Sequence, residues 1–417
     1  MTPTKMIINA ETREKTDWFA VLSLFAAGLV AAMQFAKVSP VMDMIGADLN
    51  LDLISTGFAV SILGIVGVFF AISIGTIVGS IGLRRGILIA LYGGGLIAGL
   101  GSIAPNGALF LASRLCEGFS HLLIVICAPA LMASHATARD KPIALALWGC
   151  FFGMGFAIAS AAAAQIIPLW GWRVFLFGHA TLMVAVGLLV MIALRHSNHN
   201  ESTGALPKLQ TLIHAHVNVY RSGSPLLLAL TFCCYTILFL AVLTFLGRYL
   251  VEARHWNSNQ AGNFQAVVAL ISLGFTLSAG FMIRFGASLF MGVTTAFSVL
   301  AISAVAVFAD QLPEAALIPT MIMMMASFGL LPGFVFASVP SVAPTAFLTT
   351  LTYGAIAQFG NVGTFLGTPI FAAAYKSLGW NGGALFVGVV ALLGIALVAK
   401  LRLSIHVGQN TIQIGDT

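Results

Sequence analysis

Charged side chains are scarce in this sequence. Asp, Glu, Lys and Arg make up 8% of its 417 residues, where a soluble globular domain carries roughly 25%. So few charges cannot cover a solvated surface, which excludes a soluble globular protein. Apolar residues stand in their place, at 59% of the chain and a mean hydropathy of +1.01. Apolar runs near 20 residues long recur from end to end, each long enough to cross a hydrocarbon layer of about 30 Å. One such run would fit a buried helix of a soluble domain; a series of twelve reads as an all-α polytopic membrane protein. The short alternating segments of a β-barrel are missing.

Other absences exclude whole function classes. The five cysteines, Cys116, Cys127, Cys150, Cys233 and Cys234, all lie in apolar runs. Their number is odd and none has metal-ligand spacing in a polar loop, so neither a disulfide framework nor zinc is expected. There is no GxxxxGK[ST] run and no polar domain to hold a nucleotide, against an ATP-driven pump. There is no HExxH and no supporting triad for any serine, against an intramembrane protease, so no enzyme, cofactor or metal is expected. The N-terminal stretch MTPTKMIINAETREKTDW is polar and mixed in charge; it reads as a cytosolic tail, not a signal peptide. The net charge of +6 points to basic loops at a membrane face, not to nucleic acid.

Apolar patterning predicts helices at 17–41, 54–78, 84–105, 108–133, 142–168 and 173–194, then at 224–247, 260–282, 286–308, 315–337, 345–374 and 380–400, the eleventh with a frayed or bent end near Pro369. The organisation is a tail (1–16), a six-helix bundle (17–194), a polar linker (195–223), a second six-helix bundle (224–400) and a C-terminal tail (401–417). Leu209, Leu212 and Ile213 predict a short amphipathic helix in the linker; His196, His199, His214 and His216 there are read as solvated residues, not metal ligands. With both termini in the cytosol, thirteen of the nineteen basic residues fall on the inside, Arg84, Arg85, Arg139, Lys141 and Arg284 among them, as the positive-inside rule requires.

Polar residues inside the spans are the candidates for chemistry. FLASRLCEGFSHLL, Phe110 to Leu123, places Arg114, Glu117 and His121 in an apolar run. Glu117 is three residues from Arg114 and can meet it on one helix face; His121, four further on, extends that face. Arg114 lies roughly 9 Å along its helix at 1.5 Å per residue. A charge facing lipid is costly, whereas one that is paired or lines an aqueous cavity is not. Two readings stand: a structural ion pair, or a cavity-facing pair that binds an anion or carries a proton. In the first helix Gln34 and Lys37 share a face, with Pro40 and Asp43 beyond; substrate or proton contact competes with outward snorkelling of Lys37. The second half offers Thr231, Cys233, Cys234, Tyr235 and Thr236, a methionine-rich MIMMMASFG stretch (Met321 to Gly329), and Gln358 with Asn361. Gly149 and Gly153 form a close-packing pair.

Six spans, a basic loop and six more spans resemble the major facilitator superfamily. The loop GTIVGSIGLRR matches that family's motif at Gly75, Gly82 and Arg84, with Arg85 an added charge; it departs at Gly79, Ser80 and Leu83, where an aspartate, a basic residue and an arginine are expected. RLCEG, Arg114 to Gly118, is similar to the family's helix-four motif, with an acid at the polar position. The resemblance implies alternating access around a central cavity lined by helices one, four, seven and ten, which would bring Gln34, Lys37, Arg114 and Glu117 together. The residues expected to bind substrate are Gln34, Lys37, Arg114, Tyr235, Gln358 and Asn361; those expected to couple protons are Glu117, Arg114 and His121. Gly75, Gly82, Arg84, Arg85, Gly149 and Gly153 are expected to serve gating. The expected function is proton-coupled secondary transport of a small organic anion or zwitterion by a functional monomer in the lipid bilayer of the cell inner membrane. Helix five lacks the Gly-Pro pair of family antiporters, which favours import by symport. Drug or metabolite efflux by antiport is the alternative, and a channel or membrane sensor the alternative of another class.

Overall fold

A computed structural model describes residues 15–51, 53–195, 209–221, 223–309, 312–343 and 345–415. His196, His199 and the side chains of Asp43 and His216 lie outside the described residues.

The described residues are helical wherever the sequence is apolar, because in hydrocarbon a backbone must satisfy its own polar groups. α1 (Trp18–Ala36) starts at an Asp17 cap, whose side chain accepts from the Ala20 N–H. It ends earlier than the expected residue 41: a single 3-10 turn at Ser39–Val41 and the short α2 (Met42–Leu49) follow, as Pro40 interrupts the helical ladder. α3 (Leu53–Ile81) and α4 (Leu83–Ser102) meet at Gly82, whose φ of 88° suits a residue without Cβ. α5 (Gly107–His135) is capped by Asn106, and α6 (Lys141–Gly149) and α7 (Phe151–Ala193) follow.

Of the two expected helices, 142–168 and 173–194, the first is bent within its length, and the division between them falls at Gly171 as expected. The chain bends by 44° between α6 and the first part of α7, then continues through Pro168 and Gly171, where a non-helical φ of 75° marks a second break. The expected linker contains α8 (Leu209–Arg221). α9 (Gly223–Glu252), α10 (Ser258–Arg284), α11 (Leu289–Phe308) and α12 (Glu314–Val342) follow. α13 (Ala346–Leu378) runs as one helix through Pro369, and α14 (Trp380–Gly415) extends well past the expected residue 400.

Ten described helices are long and apolar enough to cross a membrane, or eleven when α6 and the start of α7 count as one bent span. α1, α3, α4, α5 and α7 pack on one another, as do α9 to α14. The two groups meet through α3 with α13 and through α6 with α10 and α12. The core is uneven along the helix axes. At the end marked by the Gly82 turn, one continuous cluster joins Leu24 and Ala31 of α1, Val66 and Val78 of α3 and Leu131 of α5 to Val335 and Val339 of α12 and Tyr353 and Ile356 of α13. Toward the opposite end the described clusters are confined to one group or the other: Val38, Phe110, Trp172 and Leu176 on one side, Leu246, Tyr249, Phe308 and Phe371 on the other.

Small residues permit the joint at the closed end. A Cβ on Gly75 would lie 3.1 Å from the Thr350 carbonyl, and one on Gly354 would lie 3.0 Å from the Ala71 carbonyl. On the other seam, a Cβ on Gly149 would come within 2.9 Å of Thr276 and one on Gly153 within 3.1 Å of Leu273.

Candidate functional site

The apolar helices of the first half enclose a cluster of ionisable groups. Lys37, Arg114, Glu117 and His179 are each no more than 3% exposed, so snorkelling of Lys37 is overturned. Lys37 follows the last residue of α1, Arg114 and Glu117 lie one turn apart on α5, and His179 lies on α7 beyond the Gly171 break. Oε2 of Glu117 accepts from Nη1 of Arg114 at 2.6 Å and stands 2.8 Å from Nζ of Lys37. These distances suit charge-assisted hydrogen bonds. Two cations share one carboxylate, so the cluster carries a net positive charge while both nearby histidines are neutral.

Arg114 spends its planar fork on three helices. Nε donates to the Ala59 carbonyl of α3 at 3.0 Å, and Nη2 donates to the Gln34 carbonyl of α1 at 2.5 Å. It therefore ties α1, α3 and α5 together and faces the interior of the first half, not an open cavity. His179 was not among the residues singled out from the sequence. Its Nε2 lies 3.0 Å from the Val30 carbonyl and its Nδ1 lies 3.1 Å from Nζ of Lys37. A carbonyl only accepts, so Nε2 carries the hydrogen and Nδ1 offers its lone pair to the ammonium. His121 turns away from Glu117: its Nδ1 donates to the Ala31 carbonyl at 3.0 Å, and its ring meets Phe35 edge-on.

Gln34 lies on the same turn as Lys37 but points elsewhere. Its Nε2 donates to Oγ of Ser120 at 3.3 Å and to Sδ of Met183 at 3.7 Å, while Ser120 donates to the Ala90 carbonyl. Oε1 of Gln34 is buried and finds no donor among the described residues.

The other expected substrate residues are not gathered around this cluster. Tyr235 is buried among Phe232, Phe239 and Phe328 on the second-half side. Gln358 donates from Nε2 to the Val68 carbonyl at 2.5 Å and accepts from Tyr220 of α8 at 3.2 Å. Asn361 donates to the Ala357 carbonyl, and its side chain covers Gly64 and Gly67 of α3. Both amides therefore sit on the seam between α3 and α13. Met321, Met324 and Met325 are core residues, while Met323 points outward. The cysteines are free, and no metal-binding group of histidines, cysteines or acids occurs among the described residues.

Of the expected gating residues, Gly75, Gly149 and Gly153 lie on the two seams, and Gly82 forms the turn that carries Arg84 and Arg85. A further link at this end was not expected. Arg284, closing α10, reaches Asp140 before α6 at 3.3 Å, and Asp140 also accepts from the Thr16 hydroxyl at 2.7 Å. This is an ion pair between the halves on the seam of α6 with α10, while the position where the loop motif lacks its aspartate, Gly79, faces Phe347 of α13 on the other seam.

Two groups of helices share a core at one end and have separate cores at the other, and the buried charges lie inside the first group. The Major Facilitator Superfamily profile matches residues 24–358. The chain belongs to the major facilitator superfamily. It is similar to the 4-hydroxybenzoate transporter PcaK of Pseudomonas aeruginosa, at 26% identity over 184 residues; the match takes in 44% of this chain and 41% of that protein. The chain thus matches less than half the length of that relative. Among solved structures it is similar to the human organic anion transporter MFSD10 (TETRAN), with a TM-score of 0.69 and 16% identity over 92% of this chain and 99% of that one. It is also similar to the proton:xylose symporter XylE bound to 6-bromo-6-deoxy-D-glucose, with a TM-score of 0.71 and 16% identity over 94% and 96%. These likenesses establish a superfamily fold, that of a secondary transporter and not of an enzyme. Within that fold the helix-four motif RLCEG places Arg114 and Glu117 inside the first half.

Proposed function

We propose that this superfamily member moves a small organic anion or zwitterion by alternating access, coupled to protons, with import by symport as the favoured direction. The observation that carries the reading is the positive charge left over where Lys37 and Arg114 share Glu117. In low dielectric an unbalanced charge is costly, and an anionic group brought near it restores balance. Glu117, with Arg114 and His121 on the same helix, belongs to the coupling site. Lys37 and Arg114 supply the attraction, Gln34 offers an unfilled acceptor through Oε1, and Tyr235 with its phenyl neighbours supplies an apolar wall for the uncharged remainder. Gln358 and Asn361 act with the seam they cover. A relative named for 4-hydroxybenzoate and a structural neighbour named as an organic anion transporter support the substrate class; a neighbour named as a proton:xylose symporter supports the coupling.

In this reading α13 is the twelfth span, the two six-helix bundles cover 17–194 and 224–400, and the monomer is the working unit. The basic residues put both termini in the cytosol of a cell with this protein in its inner membrane, so the joined end is the cytosolic one. Arg84, Arg85 and the seam glycines Gly75, Gly149 and Gly153 then serve the cytosolic gate. Efflux of a drug or metabolite by antiport is the second reading, since a fully paired cluster would leave the cavity for an apolar solute.

Purified protein in liposomes under an imposed pH gradient, offered a panel of aromatic and aliphatic carboxylates with their neutral esters, tests the reading. Gradient-driven accumulation of a carboxylate but not its ester is expected, in the direction of proton flow. Transport indifferent to both proton and sodium gradients would identify a uniporter and end the coupled reading.

A further inference from the structure

The buried cluster holds three charged groups, and proton coupling requires one of them to change. A guanidinium does not serve as an exchangeable proton site in proteins. The choice lies between Glu117 and Lys37, and the arrangement of charges distinguishes them. Glu117 is flanked by two cations on one oxygen, at 2.6 and 2.8 Å. Protonating it would leave both cations without a counter-charge inside the first half. Removing a proton from Lys37 instead leaves Arg114 paired with Glu117 and the cluster neutral.

The surroundings of Nζ fit the same assignment. The groups facing it are Glu117 from α5 and His179 from α7; Arg114 bonds the same Glu117 oxygen. α3 and α4 contribute carbonyls, to Arg114 from Ala59 and to Ser120 from Ala90, and His121 is held on Ala31. The charge nearest on α7, Arg173, pairs with Asp48 at 2.9 Å. An imidazole whose Nε2–H is committed to the Val30 carbonyl can receive a hydrogen bond from the ammonium without needing a charge of its own.

We propose, building on the proton-coupled reading, that Lys37 carries the exchanged proton, with Glu117 as its lasting counter-charge and His179 as a positioning residue. In the step, one Nζ–H bond breaks, its electron pair stays on nitrogen, and the proton passes to water on the side then open. The ammonium form gives the cluster its positive charge and admits an anion. The amine form is neutral and does not. Proton and anion are thereby loaded together.

Protonation of Lys37 can be observed without a transported solute. Protein labelled with ¹⁵N at lysine Nζ is placed in lipid nanodiscs and titrated by NMR from about pH 5 to about pH 9, where ordinary lysines, near 10.4, stay charged. The chain has seven lysines, and the resonance missing from both Lys37→Gln and Lys37→Arg is that of Lys37. It is expected to pass from ammonium to amine within this range while the other six do not. In Glu117→Gln, which removes the counter-charge, the passage should begin at least one pH unit lower. In His179→Gln, which keeps a neutral acceptor, it should be retained; in His179→Leu it should shift. A Lys37 resonance that stays ammonium throughout overturns the proposal. The liposome experiment fails separately: a titrating Lys37 without gradient-driven transport would remove the coupling reading and leave the proton assignment standing.

Discussion

Asp140 and Arg284 face each other across the two halves, Oδ1 to Nη1, at 3.3 Å. They join the start of α6 to the end of α10 at the end where the core is continuous. Their side chains are 20% and 24% exposed, so water screens the pair and its worth is about 1 kcal/mol. Asp140→Asn or Arg284→Gln should shift the population away from the closed state by roughly fivefold, since 1.4 kcal/mol is tenfold. Spin-label distances between the Gly82 turn and the end of α10 would report the shift. The charge-swapped double variant should restore most of it; a double variant no better than the singles would reduce the pair to coincidence.

The seam between α3 and α13 makes a steric prediction. Gly354→Val would press a branched side chain toward the Ala71 carbonyl, 3.0 Å from the Cβ position. Overpacking of this kind costs about 1–3 kcal/mol, all of it charged to the closed state. The same labels should show a wider separation at that end. Gly93→Ala is the control, because nothing lies within 4 Å of its Cβ position, and it should leave the distances unchanged.

Stability should follow the charge balance of the buried cluster. Glu117→Gln strands two cations, whereas Lys37→Gln leaves Arg114 paired with Glu117. Arg114→Gln leaves Lys37 with Glu117 but abandons the Ala59 and Gln34 carbonyls. The melting temperature in detergent should therefore fall most for Glu117→Gln, by an amount reflecting about 3–5 kcal/mol, next for Arg114→Gln, and least for Lys37→Gln. A reversed order would mean that the cluster is not charged as drawn.

Charge preference follows from the same count. Binding of 4-hydroxybenzoate should exceed that of its methyl ester in the wild type, and Lys37→Gln or Arg114→Lys should erase the difference in at least one case. Equal affinity for acid and ester in every protein would favour the efflux reading.

The architecture was legible because lipid imposes its demand segment by segment: a run such as Trp18–Ala36 announces itself without reference to any other part of the chain. The pairing of Arg114 with Glu117 was legible for the same reason, being a matter of one helical turn. His179 was not, since its partner Lys37 is 142 residues away and a lone histidine in an apolar run has no local signature. Arg284 read as an ordinary inside charge and Asp140 was not singled out, for want of the same long-range information. The spacing of Gln358 and Asn361 placed them on one face but could not say that this face meets α3. The division expected between residues 168 and 173 holds the break at Gly171, whereas the bend between α6 and α7 was hidden by apolar residues on both sides.

The core that crosses between the halves at only one end has a thermal consequence. Opening that end to water must wet surfaces such as those of Val335, Val339 and Ile356, so in the proposed cycle each turnover includes a small unfolding of a hydrophobic contact. Exposure of apolar surface raises the heat capacity, and the contact weakens on cooling. The equilibrium between the two access states should therefore bend with temperature, with the cytosolic end opening more readily in the cold than a straight van't Hoff line drawn from warmer conditions would give.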